Sequence, residues 1–492
     1  MAMALCDGSV PNGERFEAWA PRMLRADAGP VATVMELRKT KELGIHAVAR
    51  CSIHPDDLII SEQALLRLPP PSAEAQRLLR GFGELGGFLA PALCAPWATT
   101  SAEQREACLQ LFYAHPGSEK RSQGTHLAAC AELLRCWAPL KHSNWTPEEL
   151  LHFLHIVDLN IHKDDERPQN SEFTGIFVFG SKFSHSCAPN AAWSFDREGR
   201  LQYRALCPIA EGDVLTFSYV GNGMNLITST LLRRERLSAL CFVCSCARCQ
   251  GADMSRRLPC PQCGGSCYPS YPQVDDATLA GSSRDLIQDA NIWKCESCKA
   301  DVKASDLPLE AEEELTELVP RFMQGDPSSA REDAERLWQL RQKAAAVLSK
   351  NHWTWFLATF AWLQKCLLCL RNAPIVAFSE RDLCTASTEA ARWLESAAPE
   401  NMEQRLCALF LAARLAQHLG CGLTRWGYDI ENPLREPPSD RGFVALRKLE
   451  LMGWELRETC TIGPGSERDL DPNLAQRLPT PPGPPFATSG WV

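Results

Sequence analysis

The stretch FVFGSKFSHSCAPNAAWSF, residues 177–195, decides how the rest of the chain is read. Its two ends are rich in aromatic and β-branched residues and read as strands, with SHSCAPN between them placing His185 and Cys187 in an irregular segment. Strand-like text continues through RLQYRALC, with DREG at 196–199 as the intervening turn, and then through GDVLTFSYVG at 212–221. In LTFSY apolar and polar residues alternate, so the residues alone leave Tyr219 equally open to strand packing and to a site.

The next block, LLRRERLSALCFVCSCARCQ at 231–250, opens the densest cysteine region. The chain of 492 residues has 23 cysteines, and nine of them fall in the 58 residues from Cys241 to Cys298. Cys244, Cys246 and Cys249 form a CxCxxC, which leaves too little chain to close a tetrahedron round one ion. Three local thiolates plus a remote fourth is therefore the expected ligand set, with Cys187 a remote candidate and Cys241 a nominal local one. Further on, Cys260, Cys263, Cys295 and Cys298 give CPxCG…WxCxxC, two knuckles with the spacing of a structural Zn²⁺ site; Cys267 is a spare that could replace one ligand. The scattered cysteines lie in apolar runs such as FAWLQKCLLCLRN, where Cys366 and Cys369 read as core packing.

Composition bounds the rest. At 45% hydrophobic and 23% charged the chain is ordinary globular protein, long enough for two to four packed regions. A net charge of −9 argues against a main role in gripping nucleic-acid phosphates and suits a basic protein partner. The first residues lack the basic start and apolar core of a secretory signal, and no uninterrupted apolar run is long enough to span a bilayer. A cytoplasmic or nuclear protein without membrane attachment is expected.

Residues 31–60 read as short strands, 61–160 as a helical insert with SAEQ at 101–104 as a capping box, and 161–221 as strands again. From 308 to 455 the pattern is helical, with helices of a size and spacing that suggest stacked antiparallel pairs; the tail from 461, rich in Pro and Gly, reads as disordered. LLRRER at 231–236 and EAEEELTE at 310–317 read as solvated helix faces. His46, His142, His152, His155 and His162 show no ligand spacing and read as surface or packing residues.

Taken together, 177–195, 209–221 and 231–250 resemble the SET-domain lysine methyltransferases, most of all the SET and MYND family, in motif order and spacing over about 31–300. The later text VLSKNHWTWFLATFAWLQ is similar to that family's C-terminal helical domain. The resemblance implies a site for S-adenosylmethionine. SHSCAPN matches NHSCxPN, so Ser184 and His185 stand where the family's Asn-His pair approaches the cofactor, and Cys187 completes a zinc site with Cys244, Cys246 and Cys249. Tyr219 matches the active-site tyrosine, Phe242 the aromatic stacked on the adenine, and Asn160 an asparagine at the cofactor's amino-acid end. KTKELGIHAVA resembles the KGRGLxA cofactor cradle, implying contacts from Lys41, Gly44, Ile45 and His46.

The sequence departs from the family pattern at Glu42, Leu43, Ser184 and Leu240, and the four cysteines of the insert lack the paired knuckles of a MYND module. The expectation is an α+β protein: an N-terminal extension (1–30), a split β-rich SET core (31–240), a Cys-rich post-SET zinc region with a second zinc ribbon (241–300), and a tetratricopeptide-like helical domain. The implied activity is S-adenosylmethionine-dependent methylation of a lysine amine on a histone or non-histone protein. The enzyme is expected to be monomeric, with two zinc ions and no direct nucleic-acid binding. The alternative is a catalytically inactive SET and helical scaffold that binds protein partners.

Overall fold

The structure is a computed structural model describing residues 34–40, 43–94, 112, 124–141, 145–163, 173–221, 224–238, 240, 243–271, 289–323, 329–372 and 378–398. The extension at 1–30, the SAEQ box, the helical text after residue 400 and the tail from 461 lie outside the described residues.

Strands β1 (Met35–Thr40) and β2 (Gly44–Ala49) pair antiparallel, with Thr40 opposite Gly44. Gly44 holds φ +63, a backbone state glycine adopts at little cost. Strand β3 (Leu58–Glu62) lies beside β9 (Leu201–Ala205), which lies beside β8 (Ala191–Phe195), and the DREG turn joins the last two. In that turn Gly199 holds φ +73, and a Cβ there would stand 2.4 Å from the Phe173 ring. Strands β4 (Leu66–Arg67), β6 (Gly175–Ile176) and β5 (Ile161–His162) form a third small sheet. Finally β7 (Ser184–His185) and β10 (Thr216–Phe217) pair in parallel. The two segments that bear the sequence motifs are therefore hydrogen-bonded neighbours.

The helical insert falls between the β3–β4 text and β5, as its 3.6-residue periodicity predicts: α1 (Ala73–Arg80), α2 (Thr125–Cys136) and α3 (Pro147–Asn160). Helix α3 starts on a reciprocal cap in which Thr146 accepts from the Glu149 N–H and Glu149 accepts from the Thr146 N–H. Its apolar face joins the first core, which also holds the inner faces of β3, β6, β8 and β9.

After β10 come α4 (Thr230–Ser238) and a four-stranded antiparallel ribbon, β11 (Leu258–Pro259), β12 (Ser266–Pro269), β13 (Ile292–Cys295) and β14 (Asp301–Lys303). Four long helices follow: α5 (Leu309–Met323), α6 (Ala330–Val347), α7 (Trp353–Asn372) and α8 (Glu380–Ala397). Helices α6 and α7 run antiparallel, because Arg341 reaches Thr359 at 3.1 Å while Asp333, earlier on α6, reaches Lys365, later on α7, at 2.8 Å. The buried side of the ribbon, including Trp293 and Val302, shares a second core with these helices, led by Trp353, Trp355 and Trp362. A third, smaller core gathers Val220, Leu226 and Leu237 round Cys187, Cys244 and Cys249.

The reading of 310–317 as a solvated face needs correction at one residue. Glu312 is buried and accepts from Arg256 and, at 3.1 Å, faces His352 Nε2. Arg256 also holds both carboxylate oxygens of Asp289 and sits over the Trp293 ring at 5.0 Å. The Trp353 N–H donates to Ser255 O at 2.8 Å beside this cluster. One arginine thus fastens the chain after the first cysteine cluster to both ribbon and helices. A carboxylate inside a core is tolerated only when paired in this way.

Candidate functional site: a tyrosine beside two cysteine clusters

The parallel pairing of β7 and β10 sets His185 opposite Phe217, two residues before Tyr219. The Tyr219 N–H donates to Nδ1 of His185 at 3.0 Å, and the Tyr219 hydroxyl donates to the Phe183 carbonyl at 2.7 Å. Since a backbone N–H can only donate, Nδ1 is the acceptor and the imidazole proton sits on Nε2, which lies 3.3 Å from the Cys187 sulfur. Burial lowers the His185 pKa to about 3, so the ring is neutral. Burial likewise pushes the Tyr219 phenol well above its usual range, which keeps it a hydrogen-bonding hydroxyl rather than a base.

Round Tyr219 stands a cluster of rings. Phe217 lies 4.8 Å from it, Tyr203 and His162 lie 5.5 and 5.7 Å from Phe217, and His162 Nε2 is 2.8 Å from the Tyr203 hydroxyl. Burial takes His162 down to about 4, so it too is neutral packing, as its lack of ligand spacing suggested. Behind the Phe183 segment, Glu62 accepts from the Gly180 and Phe179 N–H groups at 2.5 and 3.1 Å. Burial raises Glu62 to about 7 against those bonds and lowers the neighbouring Lys182 to about 8.

The sulfurs of Cys187, Cys244, Cys246 and Cys249 lie within 4.8 Å of one another, as do those of Cys260, Cys263, Cys295 and Cys298. Tetrahedral zinc at ~2.3 Å from each thiolate sets sulfurs ~3.8 Å apart. The pairs Cys187–Cys244 at 3.9 Å, Cys187–Cys249 at 3.5 Å, Cys260–Cys298 at 3.9 Å and Cys263–Cys295 at 3.5 Å fit that ion. Cys187, the remote member, is brought to the first group by the fold. Cys267 stays out of the second group, buried on β12 opposite Cys295. The first group is nearly closed to solvent, while Cys263 and Cys298 of the second are exposed.

The solvated-face reading of LLRRER is wrong. Arg233 and Arg234 are buried, on the same side of α4 as Thr230, Leu237 and Ser238. Arg233 Nη2 reaches the Cys249 sulfur at 3.6 Å and the Thr230 hydroxyl at 2.9 Å, while its Nη1 donates to the Thr228 carbonyl. Arg234 donates to the carbonyls of Cys244 and Cys249, and Arg248 to that of Cys187. Four thiolates round a divalent ion carry net negative charge, and buried guanidinium groups offset it where water cannot. The spacing Thr230, Arg233, Arg234, Leu237 was a usable signal, since it is one face of a helix.

Of the residues singled out in the sequence, Gly44, Ile45 and His46 lie on β2, and the Leu215 N–H donates to Ala47 O while the Ser184 N–H donates to Leu215 O. β2 and the Ser184–His185 strand thus flank one shared segment. Asn160 ends α3, its amide donating to Ile156 O at 2.8 Å, two residues before His162. Among the described residues nothing stands within 4 Å of where a Cβ on Gly44 would be. Lys41, Glu42 and Phe242 lie outside the described residues.

Residues 44–220 match the family model of the SET domain. This SET domain carries β2 through Tyr219 and excludes both the CxCxxC and the ribbon. A SET domain-containing protein of Acanthamoeba polyphaga mimivirus is 35% identical over 81 residues, which cover 16% of this chain and 30% of that relative. Among solved structures, the SET domain of LSMT bound to lysine and AdoHcy is similar at 12% identity and TM-score 0.33, over 89% of this chain and 93% of that one. Rubisco LSMT bound to sinefungin and monomethyllysine is similar at 11% identity and TM-score 0.27, over 87% of this chain and 96% of that one. Likeness at that level carries no argument about activity.

Proposed function

We propose that the chain is an S-adenosylmethionine-dependent protein-lysine N-methyltransferase related to the SET and MYND family, without its MYND module. The carrying observation is the Tyr219 hydroxyl held on the Phe183 carbonyl inside a matched SET domain. S-adenosylmethionine, when bound, supplies an electrophilic methyl group next to a positive sulfonium. The open side of Gly44, with Ile45, His46, Asn160, Ser184 and His185, is the proposed surface for it, together with Lys41 and Phe242. A neutral phenol flanked by a backbone carbonyl orients a lysine amine by hydrogen bonds, and the ring cluster of Phe217, Tyr203 and His162 excludes water from its approach. The two cysteine groups are proposed zinc sites, giving about two zinc per chain by metal analysis.

The rival reading, a silent scaffold that binds partners, is favoured by Ser184 and Leu240, which depart from the family pattern. Calorimetric titration of the zinc-loaded protein with S-adenosylmethionine decides: micromolar binding is expected, and no heat of binding sinks the enzyme reading. Where binding is seen, Tyr219→Phe should lower methyl transfer to labelled lysate by ~10²-fold or more, with the melting temperature held within a few degrees. Unchanged turnover takes Tyr219 out of the chemistry.

A further inference from the structure

A cleft of about 540 Å³ opens between the two cysteine clusters, with Cys249 of one and Cys295 of the other in its lining. Arg234, Met254, Tyr268, Tyr271, Lys294 and Lys299 are among the residues that line it. The Arg234 guanidinium stacks over the Tyr271 ring at 5.7 Å, which fixes both. The proposed methyl-transfer site contributes no residue to this lining.

Three features point to an anionic occupant. Some exposed cations stand beside carboxylates, as in Lys343–Glu314, Lys350–Glu389 and Arg135–Glu132. Lys294 and Lys299 have no such partner among the described residues, and Glu296, the acid in the lining, accepts instead from the Tyr268 hydroxyl at 2.9 Å. The third feature is backbone strain. The two knuckles of the ribbon are alike, Cys260 to Gly264 and Cys295 to Lys299, and the residue after each second cysteine has positive φ, +72 at Gly264 and +62 at Lys299. Glycine takes that conformation freely and lysine does not. The second knuckle therefore keeps an ammonium at a strained position on the rim of the cleft, which is the pattern of a functional residue.

We propose that this cleft docks an acidic peptide segment of a protein partner. Carboxylates meet Lys294 and Lys299, and the Tyr268 and Tyr271 rings pack against the intervening side chains. The volume suits a few residues of peptide. An overall charge of −9 disfavours a long phosphate backbone, whereas a short acidic segment meets a locally basic surface. The site needs neither cofactor nor Tyr219, so it stands or falls separately from the methyltransferase reading.

The test is fluorescence anisotropy of a labelled deca-glutamate peptide titrated with the zinc-loaded full chain. Lys294→Glu with Lys299→Glu should weaken binding roughly tenfold or more. The control pair Lys343→Glu with Lys350→Glu, an equal charge change elsewhere, should leave binding within about twofold. Lys299→Gly should weaken the peptide while raising the melting temperature, because the backbone strain goes with the side chain. No binding by wild type, equal losses in both double variants, or displacement of the peptide by a deca-thymidine oligonucleotide as readily as by unlabelled peptide would each overturn the proposal.

Discussion

Nε2 of His185 lies 3.3 Å from the sulfur of Cys187, while the other nitrogen of the same ring accepts the N–H of Tyr219. One neutral imidazole thus ties a sulfur of the first cysteine group to the backbone of the tyrosine that faces the Phe183 carbonyl. A ring that hydrogen-bonds a ligand and fixes its orientation also tunes the metal it serves. With Co²⁺ in place of zinc, His185→Leu should move the sulfur-to-cobalt charge-transfer band to lower energy, because the thiolate loses a donor. An unmoved band would show that the contact is not a hydrogen bond.

Arg233 is fully buried beneath the first cysteine group, with five neighbours that accept from or attract its guanidinium, Thr228, Thr230, Cys249, Cys187 and Asp253. Arg233→Met leaves the thiolates without that charge, and loss of one side of a buried ionic contact costs about 3–5 kcal/mol. The denaturant midpoint should fall, and one of the two zinc ions should pass to a chromophoric chelator faster than in wild type. Equal release rates would assign Arg233 to packing alone.

Glu312 gives a pH dependence with a definite sign. Burial by itself would raise its pKa, but the hydrogen bond and charge of His352, then those of Arg256, outweigh burial and hold it at about 2 against an ordinary 4.5. The folded chain therefore holds this proton less tightly than the unfolded chain. The stabilisation, on the order of 3 kcal/mol, is fully present above about pH 4.5 and is lost as pH falls toward 2. Glu312→Gln should be the less stable protein at pH 6, with the gap to wild type closing as pH drops from 5 to about 3 in urea titrations. A gap that stays constant removes Glu312 from the acid response.

Gly180 stands at a close approach. Its N–H donates to Glu62, its carbonyl receives the Tyr203 hydroxyl at 3.3 Å, and an added Cβ would stand 2.4 Å from the Leu201 side chain. Gly180→Ala should destabilise the fold by about 1–3 kcal/mol. Leu201→Ala introduced with it makes room and should recover part of that loss, whereas Gly87→Ala, with no described residue within 4 Å of the added methyl, should be tolerated.

Much of the site was legible because its signals are local. Knuckle spacing and the short CxCxxC predict two four-cysteine groups with a remote member in the first before any fold is known, and the fold brings Cys187 to that group. Strand alternation and helical periodicity likewise place the insert between two β regions. What could not be read was the fate of charges: EAEEELTE and LLRRER look alike as polar runs, yet Glu312, Arg233 and Arg234 are buried while Glu313 and Glu235 are exposed. Which side of a polar helix is covered depends on what packs against it.

By itself, then, the sequence determined the two groups of cysteines, the order of elements and the identity of the SET segment, since each depends on spacing along the chain. Only the tertiary structure decided that His185 joins Cys187 to Tyr219, that Arg256 clasps the ribbon to the helices through Glu312, and that Lys299 stands strained on the rim of a cleft. These depend on segments far apart in sequence meeting where water is excluded, and there charge and hydrogen bonding take values that no local pattern encodes.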